Sequence, residues 1–384
     1  MPAAATEGNS RSEAAAGAAR RIAEIAAEPR PSGGSAERAA RDRCATALVG
    51  AGFDVDLVPF SYSAFPGRWG TPVCGAVAVT GLLVAAHLSF RGAAALAIAV
   101  LAVTLAFLAS FGFWLARVGV LNAPLLRSQG VNLVARRGGA GEPGDGAHAV
   151  WLVAHLDSKS QPVPILARAI AISLLGLMWV GAVAMAVVQS LGADIADLWP
   201  WFAGAVVLVG APVVASVAGA RSPGALDNAT GVAAVMLAAE QAPRETPAAV
   251  LLTSAEELGL AGARAWARES GIQPGTAVNV DTLGDSGVLR IVVSGRAPRE
   301  LIARLRAAAR RAAVPLREIR LLPGVLVDGV ALSDAGWEVV TLSRGTLATL
   351  ARVHTVRDTP DRLIGSGVAD AAAVLVELLR GRRA

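Results

Sequence analysis

Two pairs of long, almost uncharged runs interrupt this chain of 384 residues: 73–90 with 92–116, and 165–189 with 199–220. Roughly 20 apolar residues cross the hydrocarbon core of a bilayer, and all four runs are near that length. The link between the first two, around Arg91 and Gly92, is tight. Each pair therefore reads as a transmembrane hairpin whose two ends emerge on the same side. Buried helices of a soluble core are the competing reading, but such helices usually keep a polar face, and these runs have none. Arg168 lies near a run end, where it can snorkel to the interface. Trp199 and Trp201 stand where an interfacial aromatic belt would put them.

Composition agrees. Hydrophobic residues make up 54% of the chain and aromatics only 4%, and mean hydropathy is +0.53, above the usual soluble domain. Net charge is +5, with a pI of about 10.3. Nearly all the basic residues are arginines; Lys159 is the sole lysine. No basic stripe interleaved with aromatics is present, so a lipid bilayer, and no nucleic acid, is the expected partner. Cys44 and Cys74 do not make a disulfide framework. The N-terminus is Ala-rich and charged, without the apolar core of a signal peptide, and residues 1–12 are expected to be disordered.

Outside the apolar runs the pattern alternates. Helices are expected at 13–27 and 35–49, and strands at 53–60, 130–136 and 147–154. The Gly-rich segment 138–146 leads into a strand, so it reads as a hairpin turn and not as a phosphate loop. Beyond residue 221, helices at 229–241, 260–269, 298–313 and 367–380 alternate with strands at 248–253, 276–280, 288–294 and 338–343. This is the pattern of an α/β fold: a doubly wound, mainly parallel mixed sheet with helices on both faces. It forms one discontinuous domain (13–68, 117–162 and 221–384), interrupted by hairpins at 73–116 and 165–220.

In such sheets ligands gather at the carboxyl ends of strands. His155 and Asp157 follow one apolar strand, Glu256 and Glu257 a second, and Asp281 ends a third. His354 follows the last strand, and Asp227 sits in a Gly-flanked segment, 222–231, just before a helix. Taken singly, each fits an ordinary surface pair or an acidic helix start. Together they place imidazoles and carboxylates, the ligands of a metal centre, at successive strand ends. If Glu256 and Glu257 lie in an extended segment they point opposite ways, one to a metal and one to water as a general base.

These residues carry a family resemblance. The chain resembles the zinc-dependent exopeptidases of the aminopeptidase Y and bacterial leucyl aminopeptidase type (metallopeptidase family twenty-eight). Matching positions are His155 and Asp157; Gly224, Ala225, Asp227, Asn228 and Gly231; Glu256, Glu257 and Gly259; Asn279 and Asp281; and His354, Thr355, Asp358 and Thr359. The match spans roughly 15–62, 129–160 and 222–384 and leaves out both apolar pairs. It departs from the family at Val353, where many members have Tyr, and at Val327, Asp328 and Gly329, where many have Ser-Asp-His.

The resemblance implies two Zn²⁺ ions. Asp227 would bridge them, His155 and Asp281 complete one, Glu257 and His354 complete the other. Glu256 would be the general base and Asp157 would orient His155. It also implies a cis peptide bond after Asp227. The expected function is a membrane-anchored di-zinc aminopeptidase acting on peptides near the membrane. Alternatives are another amide chemistry on the same fold (carboxypeptidase, dipeptidase, deacylase or glutaminyl cyclase) or a non-catalytic membrane receptor or scaffold. The second hairpin leaves the chain about ten residues from His155 and from Asp227, which ties both to within about 20–30 Å of the bilayer. Arg68, Arg117, Arg127, Lys159, Arg168 and Arg221 flank the apolar runs on the domain side, against Arg91 alone at a tip. The positive-inside rule then puts the domain in the cytoplasm.

Overall fold

The structure is a computed structural model and describes residues 2–138, 149–322 and 324–381. The chain divides into two compact units. One comprises residues 1–62, 127–160 and 220–384; the other comprises 63–126 and 161–219.

The first unit is built on a mixed eight-stranded sheet: β1 (Asp54–Ser63), β2 (Arg127–Arg137), β3 (Val150–His155), β4 (Ala248–Thr253), β5 (Thr276–Leu283), β6 (Leu289–Val293), β7 (Leu316–Arg320) and β8 (Glu338–Arg344). Their spatial order is β1-β2-β4-β3-β5-β8-β6-β7. The central strands β4, β3, β5 and β8 run parallel, so their carboxyl ends meet at one edge. β2 on β4 and β6 on β8 are antiparallel. Every residue of β3 and β4 is buried, because helices cover both faces and an apolar run suits both sides. On one face Trp151 packs with Trp266 and Trp337 at centroid distances of 4.8 and 6.0 Å. On the other, the helix Thr230–Gln241 packs with Ser366–Arg380 and Pro2–Ile25.

Four expectations change. The helix Pro2–Ile25 takes in residues 2–12, which were expected to be disordered; the segment is rich in alanine, the strongest helix former. Of the Gly-rich segment 138–146, residues 139–146 lie outside the described residues; the strands on either side of it, β2 and β3, are not paired with each other, since β4 lies between them. β7 and the helix Asp328–Asp334 escaped the sequence reading: four of the five residues of β7 are exposed, so the strand shows no apolar alternation. Finally, Glu256 and Glu257 are not extended but form a 3-10 turn, Glu256–Leu258, entered through Ala255 at φ 57°.

The second unit holds the apolar runs as helices Phe65–Phe90, Ala94–Trp114, Ile165–Ser190 and Leu198–Val214. Ala94–Trp114 continues through a wide turn to Asn122. Three of these are long and apolar enough to cross a membrane. The fourth run does not reach the expected 199–220. Its helix has 17 residues, about 26 Å at 1.5 Å per residue, somewhat short of a core about 30 Å thick. It stops two residues past Pro212, and the Ser216 hydroxyl donates back to the Pro212 carbonyl at 2.7 Å. Large apolar side chains point outward from the bundle: Leu177 is 66% exposed, Val180 68% and Leu208 78%. That surface suits lipid better than water.

Small residues set the packing within this unit. A methyl group added at Gly210 would fall 2.2 Å from Val79 Cγ2, and one at Gly81 2.8 Å from Thr104 Cγ2. A buried polar bridge joins the two hairpins. Trp199 Nε1 donates to Gln189 Oε1 at 2.7 Å, and Gln189 Nε2 donates to the Ser89 carbonyl at 2.8 Å. Gln189→Leu removes both bonds and leaves the indole N–H and the carbonyl unpaired. It is expected to cost about 2 kcal/mol, read as a lower unfolding midpoint in detergent; an unchanged midpoint would show the bridge to be dispensable.

Candidate metal centre

All seven predicted site residues lie at the carboxyl edge of the parallel strands. His155 is the last residue of β3, and Glu256 and Glu257 follow β4. Asp281 stands in β5 where the register to β8 shifts between Val280 and Leu283, a bulge that re-aims a side chain. Asp227 opens the approach to the helix Thr230–Gln241, and His354 lies beyond β8, just after the short helix Leu347–Leu350.

Asp227 is the hinge of the geometry. Its Oδ1 is 3.1 Å from His155 Nε2 and its Oδ2 is 2.9 Å from His354 Nε2. One carboxylate thus faces two imidazoles, one per oxygen. Around them the donors fall into two groups, His155 with Glu256 and Asp281, and Asp227 with Glu257 and His354; within each, the ligand atoms lie within 4.8 Å of one another. Glu256 Oε2 is 3.9 Å and Asp281 Oδ2 4.0 Å from His155 Nε2. Glu257 Oε2 is 3.2 Å from His354 Nε2.

Two further carboxylates brace the donors from behind. Asp157 Oδ1 and Oδ2 accept from the backbone N–H groups of Glu256 and Glu257 at 3.1 and 3.2 Å, and Oδ2 also accepts from Ser32 Oγ at 2.7 Å. Asp358 does the same for the other loop, taking the N–H groups of Leu226 and Asp227 at 2.7 and 3.2 Å. For Asp157 this comes in addition to the role at His155 that the resemblance implied. His155 Nδ1 is 3.0 Å from the Asp157 backbone carbonyl and 3.6 Å from its carboxylate. The backbone carbonyl is the nearer partner of the ring, and the carboxylate, shared with the Glu256–Glu257 turn, stands just behind it.

The Asp227–Asn228 peptide bond is cis, as the resemblance implied. Asn228 stitches this turn to β5: its Nδ2 donates to the Val280 carbonyl at 2.8 Å and its Oδ1 accepts from Thr282 N–H at 3.2 Å. Gly224 is required here. Its φ is +63°, and a Cβ would fall 2.4 Å from Ser158 Cβ.

Sequence reasoning missed two residues of the centre. Lys159 had been counted only as a flanking charge, yet its Nζ lies 2.6 Å from Glu257 Oε2. Arg30 is fully buried. It donates to the carbonyls of Leu156, Pro223 and Gly224 at 2.8, 2.6 and 3.0 Å, clamping the His155 and Asp227 loops together. In the sequence it stands between Pro29 and Pro31, and nothing local marks it as a clamp.

The electrostatics are those of crowded, buried acids. Burial raises the Glu256 carboxyl well above the ordinary range; His155 opposes this, and Glu257, Asp328 and Asp281 add to it. Burial and then Asp227 push Asp281 up to about 7. Burial also raises Asp227, but the two histidines outweigh it and hold it well below the usual value. Burial alone would lower His155; Glu256, Asp157 and Asp227 reverse that and raise it well above its ordinary value. Two imidazoles and four carboxylates arranged as two groups suit divalent cations of zinc's ligand preference. Glu257 Oε1, buried and without a hydrogen-bond partner, is a further free donor.

A family model described as Peptidase family M28 matches residues 132–379, more than half of the chain. The chain belongs to peptidase family M28. The matched M28 stretch contains all seven predicted residues together with Lys159 and Asp358. A comparison with curated protein sequences finds no match. Among solved structures, the chain is similar to BSAP, a zinc aminopeptidase from Bacillus subtilis (TM-score 0.54, 13% identity, covering 96% of this chain and 95% of that one). It is equally similar to a leucine aminopeptidase precursor from Bacteroides thetaiotaomicron (TM-score 0.54, 14%, 96% and 97%). A glutaminyl cyclase from the same organism, bound to N-acetylhistamine, matches as well (TM-score 0.54, 14%, 96% and 98%). At these identities the shared feature is the fold.

Proposed function

We propose that this M28 member is a membrane-anchored di-zinc aminopeptidase that removes residues from the free N-termini of peptides. The observation that carries the reading is the placement of Asp227, one oxygen toward each of two imidazoles, with a complete donor set on either side. His155, Asp281 and Asp227 would hold one zinc; Asp227, Glu257 and His354 would hold the other. Bound zinc supplies Lewis acidity, polarising the scissile carbonyl and acidifying water. Glu256, buried beside this donor set, takes the proton of the attacking water on its carboxylate and passes it to the leaving amine. Asp157 and Asp358 hold the loops so that neither Glu256 nor Asp227 must reorganise during turnover.

A peptide panel tests this. Zinc-loaded protein should cleave peptides with free N-termini and spare their N-acetylated forms. Cleavage of blocked peptides would replace the aminopeptidase reading with an endopeptidase or deacylase. Cyclisation of N-terminal Gln with release of ammonia, in place of hydrolysis, would favour the cyclase chemistry found among the structural neighbours.

The membrane part of the proposal rests on topology. The sheet is assembled from segments before, between and after the two apolar excursions, and a sheet with soluble edges cannot be divided across a bilayer. Each excursion must then cross an even number of times. This supports Leu198–Val214 as the return crossing of Ile165–Ser190 despite its length, with local bilayer thinning covering the shortfall. The arginine bias supports a cytoplasmic catalytic domain, and peptides held at the membrane interface are the proposed substrates. Protease added to sealed right-side-out vesicles should leave the domain intact; its digestion there would reverse the orientation. Equal turnover of soluble and membrane-tethered peptides would remove the interfacial substrate.

A further inference from the structure

Lys159 sits inside the donor cluster, and the proposed chemistry does not use it. Its Nζ is 2.6 Å from Glu257 Oε2, the same oxygen that lies 3.2 Å from His354 Nε2. Its side chain is 17% exposed and that of Glu257 only 3%. Among the described residues, no Lys or Arg pairs with Glu256 or Asp281 on the other side of Asp227. The ammonium is therefore in direct contact with the Glu257 half of the centre alone, while Glu256 and Asp227 feel its charge from farther off.

This lysine cannot simply swing away. Ser158 N–H donates to the Arg30 carbonyl at 2.8 Å. Ser158 Oγ accepts from Arg30 N–H at 3.0 Å and donates to the Ser222 carbonyl at 2.9 Å. On the other side, Ser160 Oγ accepts from Arg221 N–H at 2.9 Å. The backbone is pinned immediately before and after Lys159, and both pins tie it to the segment that leads to Asp227. An ammonium fixed at a ligand oxygen competes with a metal for that oxygen, and its charge opposes an incoming dication at close range.

Building on the di-zinc reading, we propose that Lys159 makes the two metal subsites unequal. The subsite of His155 and Asp281 fills first and tightly. The subsite of Glu257 and His354 fills second and weakly, so that occupancy of the second metal follows the free zinc concentration. Lys159 is a positioning residue acting through Glu257.

The test is a zinc titration of the metal-free, full-length protein in detergent, followed calorimetrically. Wild type should show two steps, their dissociation constants separated by about a hundredfold or more. Lys159→Met should tighten the second step about tenfold or more and leave the first within about threefold; Lys159→Arg should retain the separation. A second readout uses the wild-type chain, in which Lys159 and the N-terminus are the only alkyl amines. After reductive ¹³C-methylation, the Lys159 dimethylamine resonance should shift with the second zinc and not with the first. Two equal tight sites in wild type, an unchanged second step in Lys159→Met, or a lysine resonance blind to the second zinc would overturn the role of Lys159 and leave the peptidase reading standing. No zinc binding at all would overturn both.

Discussion

Glu256→Gln is expected to lose peptide hydrolysis by about 10³-fold in kcat/KM while zinc content stays unchanged. The substitution keeps the side chain's size and removes only its capacity to hold a proton. Glu256 is 6% exposed, and its carboxylate lies 3.9 Å from His155 Nε2. Its backbone N–H is fixed by Asp157, so the side chain is presented from a braced turn. Burial and the neighbouring acids raise its proton affinity, which suits a group that must take a proton and then give it up. The measurement pairs steady-state kinetics with metal analysis. Turnover within tenfold of wild type would move the base elsewhere, and Asp328 is the next acid to test. Asp328 is buried, pushed up to about 6 by that burial, and one of its oxygens lacks a hydrogen-bond partner. Loss of zinc in Glu256→Gln would instead make Glu256 a ligand, as its grouping with His155 and Asp281 allows.

The second large effect belongs to Arg30, far from any metal donor in sequence. Arg30→Met is expected to destabilise the catalytic domain by about 3–5 kcal/mol. The guanidinium is 0% exposed and satisfies the carbonyls of Ile25, Leu156, Pro223 and Gly224. A methionine fills much of the volume but strands these acceptors, each a buried group that loses its donor. It also removes the buried positive charge that stands among Asp157, Asp358 and Glu37. Urea unfolding of the detergent-solubilised protein reads the loss. A change under about 1 kcal/mol would mean that water replaces the guanidinium without strain. Arg30→Lys should recover little, since one ammonium cannot span carbonyls on two loops.

The contrast between Glu256 and Arg30 shows what the sequence made legible. The residues assigned to the proposed metals were readable because each sits at or just after an apolar strand or before a helix, and the parallel strands bring those ends to one edge. Asp227, His155, Glu257, Asp281 and His354 could be named from local pattern and family resemblance together. Arg30 and Lys159 could not, because what they do depends on carbonyls and a carboxylate supplied by distant segments. Asp157 was found as a partner of the His155 ring, which it meets through its carbonyl at 3.0 Å and its carboxylate at 3.6 Å; that the same carboxylate also takes the N–H groups of Glu256 and Glu257 shows only in the tertiary structure. The order of the strands was also beyond local reading. Nothing between residues 138 and 149 announces that β4, from a segment about a hundred residues later, inserts between β2 and β3. The apolar runs were plain as runs, but the length of the last was not, since its helix ends just beyond Pro212 and the apolar residues that follow continue outside the helix.

In the proposed centre Asp227 would serve two metals at once. Equilibrium dialysis against excess zinc, followed by metal analysis per chain, tests this most directly in wild type and in Asp227→Ala. Two zinc ions in wild type and less than half of one in the variant is the expected result, because each subsite loses a shared anionic ligand. Wild type without zinc, or a variant that retains both ions, would contradict the bridged centre and the mechanism drawn from it.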